Sequence, residues 1–237
     1  MNRRQETKSA KLTARLVTIV AAVCTLNALE LCATPIVSEG WDTIGNIDGW
    51  TATGPGGATL DNSDRYLSIS FVAESVPLPG QDIVRTGAGA AAGLTGDYVA
   101  NSAQSIGFRF LAQDYPFDGL TLYFASPSRV WAMPLAVPVV GEWVNYRVSL
   151  DYNVGWIGGP GADATAFGND LASVSWVGVG ISHNYAGCDS VPAQNYGLDD
   201  FATYTETPEP GTCVFLLAAT LPLLVMFRGK LKPRWLA

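Results

Sequence analysis

One of two adjacent carboxylates near the end of the central part of the chain has the right type and position to hold a cation or to accept hydrogen bonds. Asp199 and Asp200 lie in the segment 196–201, just before Phe201. Because neighbouring strand residues point to opposite faces, Asp199 is predicted to share a face with Phe201. If Phe201 is a core residue, Asp199 points inward, where an unpaired carboxylate is costly. We therefore expect a calcium ion or a hydrogen-bonding partner at Asp199.

A second group of residues with potential chemistry lies near the C-terminus, where Pro208, Glu209 and Pro210 precede 15 uncharged residues, 213–227. Each proline fixes φ and biases the preceding residue away from helix, so this motif is predicted to be extended. A helix of that length spans about 22 Å, and flanking residues narrow the gap to the ~30 Å bilayer core. We predict a transmembrane helix at about 212–227, followed by a basic stop-transfer end at Arg228, Lys230, Lys232 and Arg234.

The order of these three parts resembles the PEP-CTERM sorting signal of exported bacterial proteins, over residues 207–234. The resemblance implies that an exosortase, a membrane protease-transpeptidase, recognises Pro208, Glu209 and Pro210 and releases or re-attaches the protein outside the cell. Pro222 inside the predicted helix and the ending after Arg234 depart from the family pattern. The alternative is a single-span membrane protein that is never processed.

The N-terminus has the features of an export signal. Five basic residues within the first 15 precede an apolar segment, 16–29, and cleavage is predicted after Ala33. A retained N-terminal anchor is the alternative. The chain therefore divides into a signal peptide (1–33), an exported domain (34–206) that is periplasmic or extracellular, and a sorting tail (207–237) that is embedded in the membrane before processing.

The predicted exported domain is strongly acidic. It contains 18 acidic and five basic residues, a net charge of −13, because most lysines and arginines lie in the two ends. Nucleic acid and anionic lipid would be repelled, so neither is expected as a partner. Cys188 is the only cysteine of this domain, which excludes a disulfide framework within it.

Hydrophobic alternation predicts an all-β domain. Residues 66–72, 106–110, 120–124, 144–150 and 177–181 alternate apolar with other side chains and are separated by turns rich in Gly, Pro, Asp and Ser. This pattern favours an antiparallel jelly-roll β-sandwich. One short helix is predicted at 164–172, with Phe167 and Leu171 on one face.

The segment 196–201, together with Gly141-Glu142-Trp143 and Gly155-Trp156, resembles jelly-roll carbohydrate-binding modules and laminin IV domains. The resemblance covers 50–204 in outline. In such jelly rolls a structural calcium joins the last strand to an acidic residue near the first, which implies Asp199 with Glu39 or Asp42. A hydrogen-bonded Asp199 without calcium is the alternative.

Exposed aromatic rings stack on sugars, and two tryptophans next to loops, Trp131 and Trp156, are the candidates for this role. Trp176, inside an apolar strand, is predicted to be core. His183 is the only histidine, and no Gly-x-Ser-x-Gly motif is present, so no catalytic residues are assigned. We expect a non-catalytic structural or adhesive protein of the envelope or exopolysaccharide matrix that binds glycan; a secreted carbohydrate-active hydrolase or lyase is the alternative.

Overall fold

The computed structural model describes residues 34–73, 81–87, 93–114, 118–182 and 192–205. The predicted signal peptide and sorting tail lie outside these ranges, as do His183 and Cys188. Within them, no helix is long and apolar enough to cross a membrane. The strands are β1 Thr34–Glu39, β2 Trp50–Thr53, β3 Thr59–Asp61, β4 Leu67–Phe71, β5 Gln81–Thr86, β6 Ser105–Ala112, β7 Gly119–Ala125, β8 Val130–Leu135, β9 Trp143–Ser149, β10 Trp176–Ser182 and β11 Gln194–Thr205.

Two sheets form a sandwich. The six-stranded sheet has the order β3-β4-β11-β6-β9, with β1 also paired to β11, and the five-stranded sheet has the order β2-β5-β10-β7-β8. Neighbouring strands along both orders are antiparallel. The predicted antiparallel β-sandwich is confirmed, and its two sheets are consistent with a jelly roll.

The core lies between the sheets and follows the predicted alternation. Leu67 and Ile69 of β4 are fully buried, whereas the serines between and beside them are partly exposed. Val177, Val179 and Ile181 of β10 are fully buried from the opposite sheet. Burial of these side chains on both inner faces is what holds two half-apolar sheets together.

One short α-helix, α1 (Ala164–Leu171), forms where a helix was predicted and packs through Phe167 against Phe124 and Trp131. The Asp163 side chain caps its N-terminus by accepting a hydrogen bond from the Ala166 N–H at 2.7 Å. Phe167, Asp170 and Leu171 are buried. The helix therefore contributes an aromatic ring and a carboxylate to the interior.

A β-bulge in β11 overturns the predicted orientation of Asp199. The register with β6 shifts between Asp199 and Ala202, and Asp200 has a left-handed φ of 50°. The extra residue breaks the alternation, so Phe201 is fully buried while Asp199 pairs across the strands with Arg109 on the outer face. The prediction that Asp199 and Phe201 share one face was wrong for this reason.

Candidate functional site

The two tryptophans predicted to stack on glycan are core residues, and that prediction was wrong. Trp131 is 0% exposed and Trp156 is 4% exposed. Both pack around Phe124 and Phe167 with ring centroids 5.0 to 6.2 Å apart. Neither ring has a face open to a sugar, because residues next to loops in sequence are covered here by α1.

Asp170 anchors this buried cluster. Its carboxylate accepts hydrogen bonds from Ser126 Oγ at 2.7 Å, from Trp131 Nε1 at 2.8 Å and from the Ser128 hydroxyl. Burial alone would raise the pKa of Asp170, but these hydrogen bonds and the Arg129 charge lower that pKa below its ordinary value. The role of Asp170 is structural, and the one signal in the sequence was a negative charge in the last turn of a helix, where the dipole opposes it.

The tryptophan that is partly exposed on the five-stranded sheet is Trp176, which was not one of the two predicted to be accessible. Trp176 begins β10 and is partly exposed on the outer face, so its prediction as a core residue was wrong. The Tyr123 ring lies 6.4 Å from it on the neighbouring strand β7. We use the name Trp176 face for the outward side chains of Gln81, Arg85, Thr121, Tyr123, Trp176 and Ser182.

Hydrogen bonds organise the polar half of the Trp176 face around Gln81. The Gln81 amide nitrogen donates to Thr121 Oγ1 at 3.2 Å and to Ser182 Oγ at 3.3 Å. The Tyr123 hydroxyl donates to the Gln81 amide oxygen. Partial burial raises the pKa of Tyr123, against the lowering effect of its hydrogen bonds, so this phenol is protonated at neutral pH. Amide, hydroxyl and phenol groups of this kind can exchange hydrogen bonds with sugar hydroxyls.

Two glycines keep the middle strand of the Trp176 face free of side chains. A Cβ on Gly178 would lie 2.2 Å from the Val84 carbonyl oxygen, and one on Gly180 would lie 2.5 Å from the Gln81 side chain. Side chains of the two neighbouring strands therefore lean across β10. The aromatic rings and the Gln81 network lie on one continuous surface as a result.

The charge of the Trp176 face differs from that of the whole domain. Arg85 lies over the Trp176 ring, with its guanidinium carbon 4.8 Å from the ring centroid, and forms no ion pair within the described residues. No acidic residue occupies an outward position in the described strands of this sheet. The residues at the outward positions are Thr51, Thr53, Gln81, Ile83, Arg85, Gly119, Thr121, Tyr123, Ala125, Val130, Ala132, Pro134, Trp176, Gly178, Gly180 and Ser182.

The six-stranded sheet has a comparable outer surface, which we call the Trp143 face: Tyr66, Arg109, Gln113, Trp143 and Asp199. Tyr66 meets Trp143 edge-on at 5.3 Å, and Arg109 lies 4.9 Å from the Trp143 centroid. Arg109 also pairs with Asp199 and with Asp200, at 3.6 Å each. The Gln113 amide donates to the Tyr66 hydroxyl at 2.7 Å. The polar groups of this surface are therefore matched internally.

The three residues expected at a calcium site differ in how far they are buried. Glu39 is buried at the end of β1, Asp42 is exposed, and Asp199 is partly buried beside Arg109. Partial burial and the nearby Asp200 and Asp42 charges raise the pKa of Asp199, although Arg109 opposes the shift. Among the residues that the structure describes, no group of three His, Cys, Asp or Glu side chains could hold a metal ion. The Arg109 guanidinium lies 3.6 Å from Asp199 and supplies positive charge there, and the calcium ion stays a prediction from the sequence.

The sorting residues lie outside the described part of the chain. This applies to the motif Pro208, Glu209 and Pro210 and to the basic end at Arg228, Lys230, Lys232 and Arg234. Their assignments stay predictions from the sequence.

Comparison of the sequence with protein-family models gives no match, and comparison with curated proteins gives none. Among solved structures, an agarase aligns with a TM-score of 0.51 and 11% identity over 75% of this chain and 25% of its own. A family 11 carbohydrate-binding module of Clostridium thermocellum aligns with a TM-score of 0.47 and 11% identity, over 75% of this chain and 98% of the module. The L4b domain of human laminin α-2 aligns with a TM-score of 0.49 and 8% identity, over 74% of this chain and 98% of the domain. The likeness to the agarase, of which this chain spans a quarter, shows the sandwich fold alone.

Proposed function

We propose that this chain is an exported bacterial surface protein whose β-sandwich binds glycan through the Trp176 face without catalysing a reaction. The observation that supports the proposal is the combination of Trp176, Tyr123 and the Gln81 network on one outer surface. A sugar ring stacks on aromatic surface while its hydroxyls bond to polar groups at the rim. Here Tyr123 and the part of Trp176 that Arg85 leaves uncovered would supply the aromatic surface, and the Gln81 network would supply the polar groups. Its place would be the envelope or an exopolysaccharide matrix, in a structural or adhesive role.

A broad glycan array tests the binding. The wild-type domain is expected to bind at least one glycan, and Trp176→Ala is expected to lose that signal because the largest aromatic surface is removed. Trp143→Ala, on the opposite sheet, is the matched control and should keep it. A blank array with the folded wild-type protein would contradict the proposal.

A carbohydrate-active hydrolase or lyase is the competing function. Glycosidases place two carboxylates about 5 to 10 Å apart across the scissile bond. The outward strand positions around the Trp176 face carry none. Incubation of the protein with every glycan bound on the array, followed by a reducing-end and unsaturated-product assay, should give no product; sustained release of product would establish the enzyme instead.

The tail is proposed to act as the sorting signal, with an exosortase-type enzyme as partner and the membrane as its temporary anchor. The support is the order of Pro208-Glu209-Pro210, the uncharged segment and the basic end. Intact mass of the native protein from cells with and without the processing protease tests this. A product beginning near Thr34 and ending near Pro210 only when the protease is present is expected, whereas a full-length tail in both strains would leave a plain membrane anchor.

A further inference from the structure

Arg85 gives the Trp176 face a chemical preference that goes beyond glycan binding in general. We propose that this face takes an acidic glycan, and that Arg85 binds the carboxylate of a uronic acid residue in it. The inference rests on the proposed function, because it names the ligand class of the same surface. Within the described residues, Arg85 is the one charged side chain at an outward strand position of this sheet, whereas the domain as a whole has a net charge of −13.

The position of Arg85 suits a ligand that also contacts the aromatic rings. Gly178 pairs with Arg85 on one side and with Tyr123 on the other, so these two side chains flank a position without a side chain. The Tyr123 ring leans across β10 toward Gly180 and Gln81, whereas the Arg85 guanidinium lies over the Trp176 ring. A ligand that contacts the aromatic side chains of this face would therefore lie next to the guanidinium.

The surroundings of Arg85 leave its N–H groups available. Its contact within the described residues is with the Trp176 ring, and such a contact orients a guanidinium without using its hydrogen-bond donors. The planar fork of donors matches a planar carboxylate, which it can bind with two parallel hydrogen bonds. Arg109, which lies over Trp143 in a similar way, already has Asp199 and Asp200 as partners. Of the two arginines that lie over outward tryptophans, Arg85 is the one without a carboxylate partner within the described residues.

The net charge of −13 opposes the approach of any anionic polymer, an acidic glycan included, and salt weakens this long-range repulsion. At about 0.15 M salt, charges farther away than roughly 8 Å are largely screened, so the local Arg85 contact decides. A binding experiment is therefore made at that ionic strength.

Matched pairs of polysaccharides test the carboxylate directly. The probes are polygalacturonate and its methyl ester, alginate and its propylene glycol ester, and a sulfated galactan. The wild-type domain should bind at least one acid form about tenfold or more tightly than its ester. Arg85→Gln should bind the two forms alike, and Arg85→Lys should keep part of the preference because an ammonium retains charge without the fork. Arg109→Gln, the matched control, should keep the full preference.

Each other outcome decides against part of the proposal. Equal binding of acid and ester, or binding of the sulfated galactan alone, would overturn the assignment of a carboxylate while glycan binding stands. Binding of neutral glycans on the array, with all four acid and ester probes silent, would do the same. A blank array overturns the proposed function and this inference with it. Thermal unfolding of Arg85→Gln shows whether it folds, and Arg85→Lys carries the test if it does not.

Discussion

The outer surfaces of the two sheets each carry an arginine over a tryptophan, but the two arginines differ in whether a carboxylate pairs with them. On each, an arginine lies over a tryptophan at 4.8 to 4.9 Å. Arg109 on the Trp143 face is held by two carboxylates, and the hydroxyl of Tyr66 is held by Gln113. Arg85 on the Trp176 face has no carboxylate within the described residues. The first surface satisfies its polar groups internally, whereas the second leaves a charge that a ligand can satisfy.

Alanine at the central glycine of each surface should separate them most strongly. A Cβ on Gly178 meets the backbone of Val84 and Arg85 at 2.2 and 2.6 Å, and a backbone cannot move aside without disrupting the sheet. A Cβ on Gly197 meets the rings of Trp143 and Tyr66 at 2.8 and 3.1 Å, and side chains can shift. We expect about 1 to 3 kcal/mol of destabilisation for Gly197→Ala and more for Gly178→Ala, measured by urea unfolding.

An equal loss of stability in the two glycine variants would contradict this picture. It would mean that strand β10 can separate from β5 as easily as two rings can move. The Trp176 face would then lack the rigid middle strand on which the proposed binding depends.

The buried Asp170 shows what a fully satisfied carboxylate contributes. Asp170→Asn should lower the free energy of unfolding by about 2 to 3 kcal/mol. The asparagine NH2 group takes the place of one carboxylate oxygen and cannot accept the hydrogen bond that this oxygen accepts from Ser126 or Trp131. The pKa of Asp170 is lowered in the folded state, so the stabilisation is present above about pH 4 and is lost as pH falls through that lowered value.

Urea unfolding of the wild type and Asp170→Asn at a series of pH values measures this difference. The gap between the two proteins should be full near neutral pH and should shrink in acid. A gap that stays constant down to the lowest pH at which both fold would show that the charge of Asp170 is not what stabilises the cluster.

Replacing Arg109 or Arg85 by glutamine should change the free energy of unfolding by less than the substitutions above. Arg109→Gln loses contacts to two carboxylates near the surface, which we expect to cost at most about 1 kcal/mol. Arg85→Gln loses no ion pair within the described residues and should cost less. The midpoints of urea unfolding, with unchanged slopes, provide the measurement; a larger loss in Arg85→Gln would mean that Arg85 is a structural residue.

Removal of divalent metal should have the smallest effect. The sequence predicts a calcium ion or a hydrogen-bonding partner near Asp199, with Glu39 or Asp42, and Arg109 already supplies a partner. EDTA is therefore expected to leave the melting temperature unchanged within error, with added calcium as the comparison. A rise of several degrees with calcium, reversed by EDTA, would establish the calcium site.

The strands could be predicted from the sequence because alternation is a local signal. Leu67, Ile69 and Phe71 face the core as their spacing indicates, and α1 spans Ala164–Leu171 where a helix was predicted at 164–172. The orientation of Asp199 could not be predicted, because the bulge at Asp200 adds one residue to the strand and leaves no mark on the apolar pattern.

The exposure of the individual tryptophans was predicted less well than the strands. Trp131 and Trp156 lie near loops, and only the three-dimensional packing of α1 shows that they are covered. The predicted alternation of Val177, Val179 and Ile181 places Trp176 on the opposite, outward face, so the position of this ring could have been predicted from the sequence. The burial of Trp131 and Trp156 depends on distant packing, which one sequence does not record.

The most direct test of the account is the affinity of a glycan identified on the array for the wild type, Trp176→Ala and Trp143→Ala, measured by calorimetry on folded protein. Trp176→Ala is expected to weaken binding by about tenfold or more, which corresponds to ~1.4 kcal/mol, and Trp143→Ala to change the affinity by less than about twofold. Loss of binding in Trp143→Ala with none in Trp176→Ala would assign the ligand to the other sheet and contradict the account.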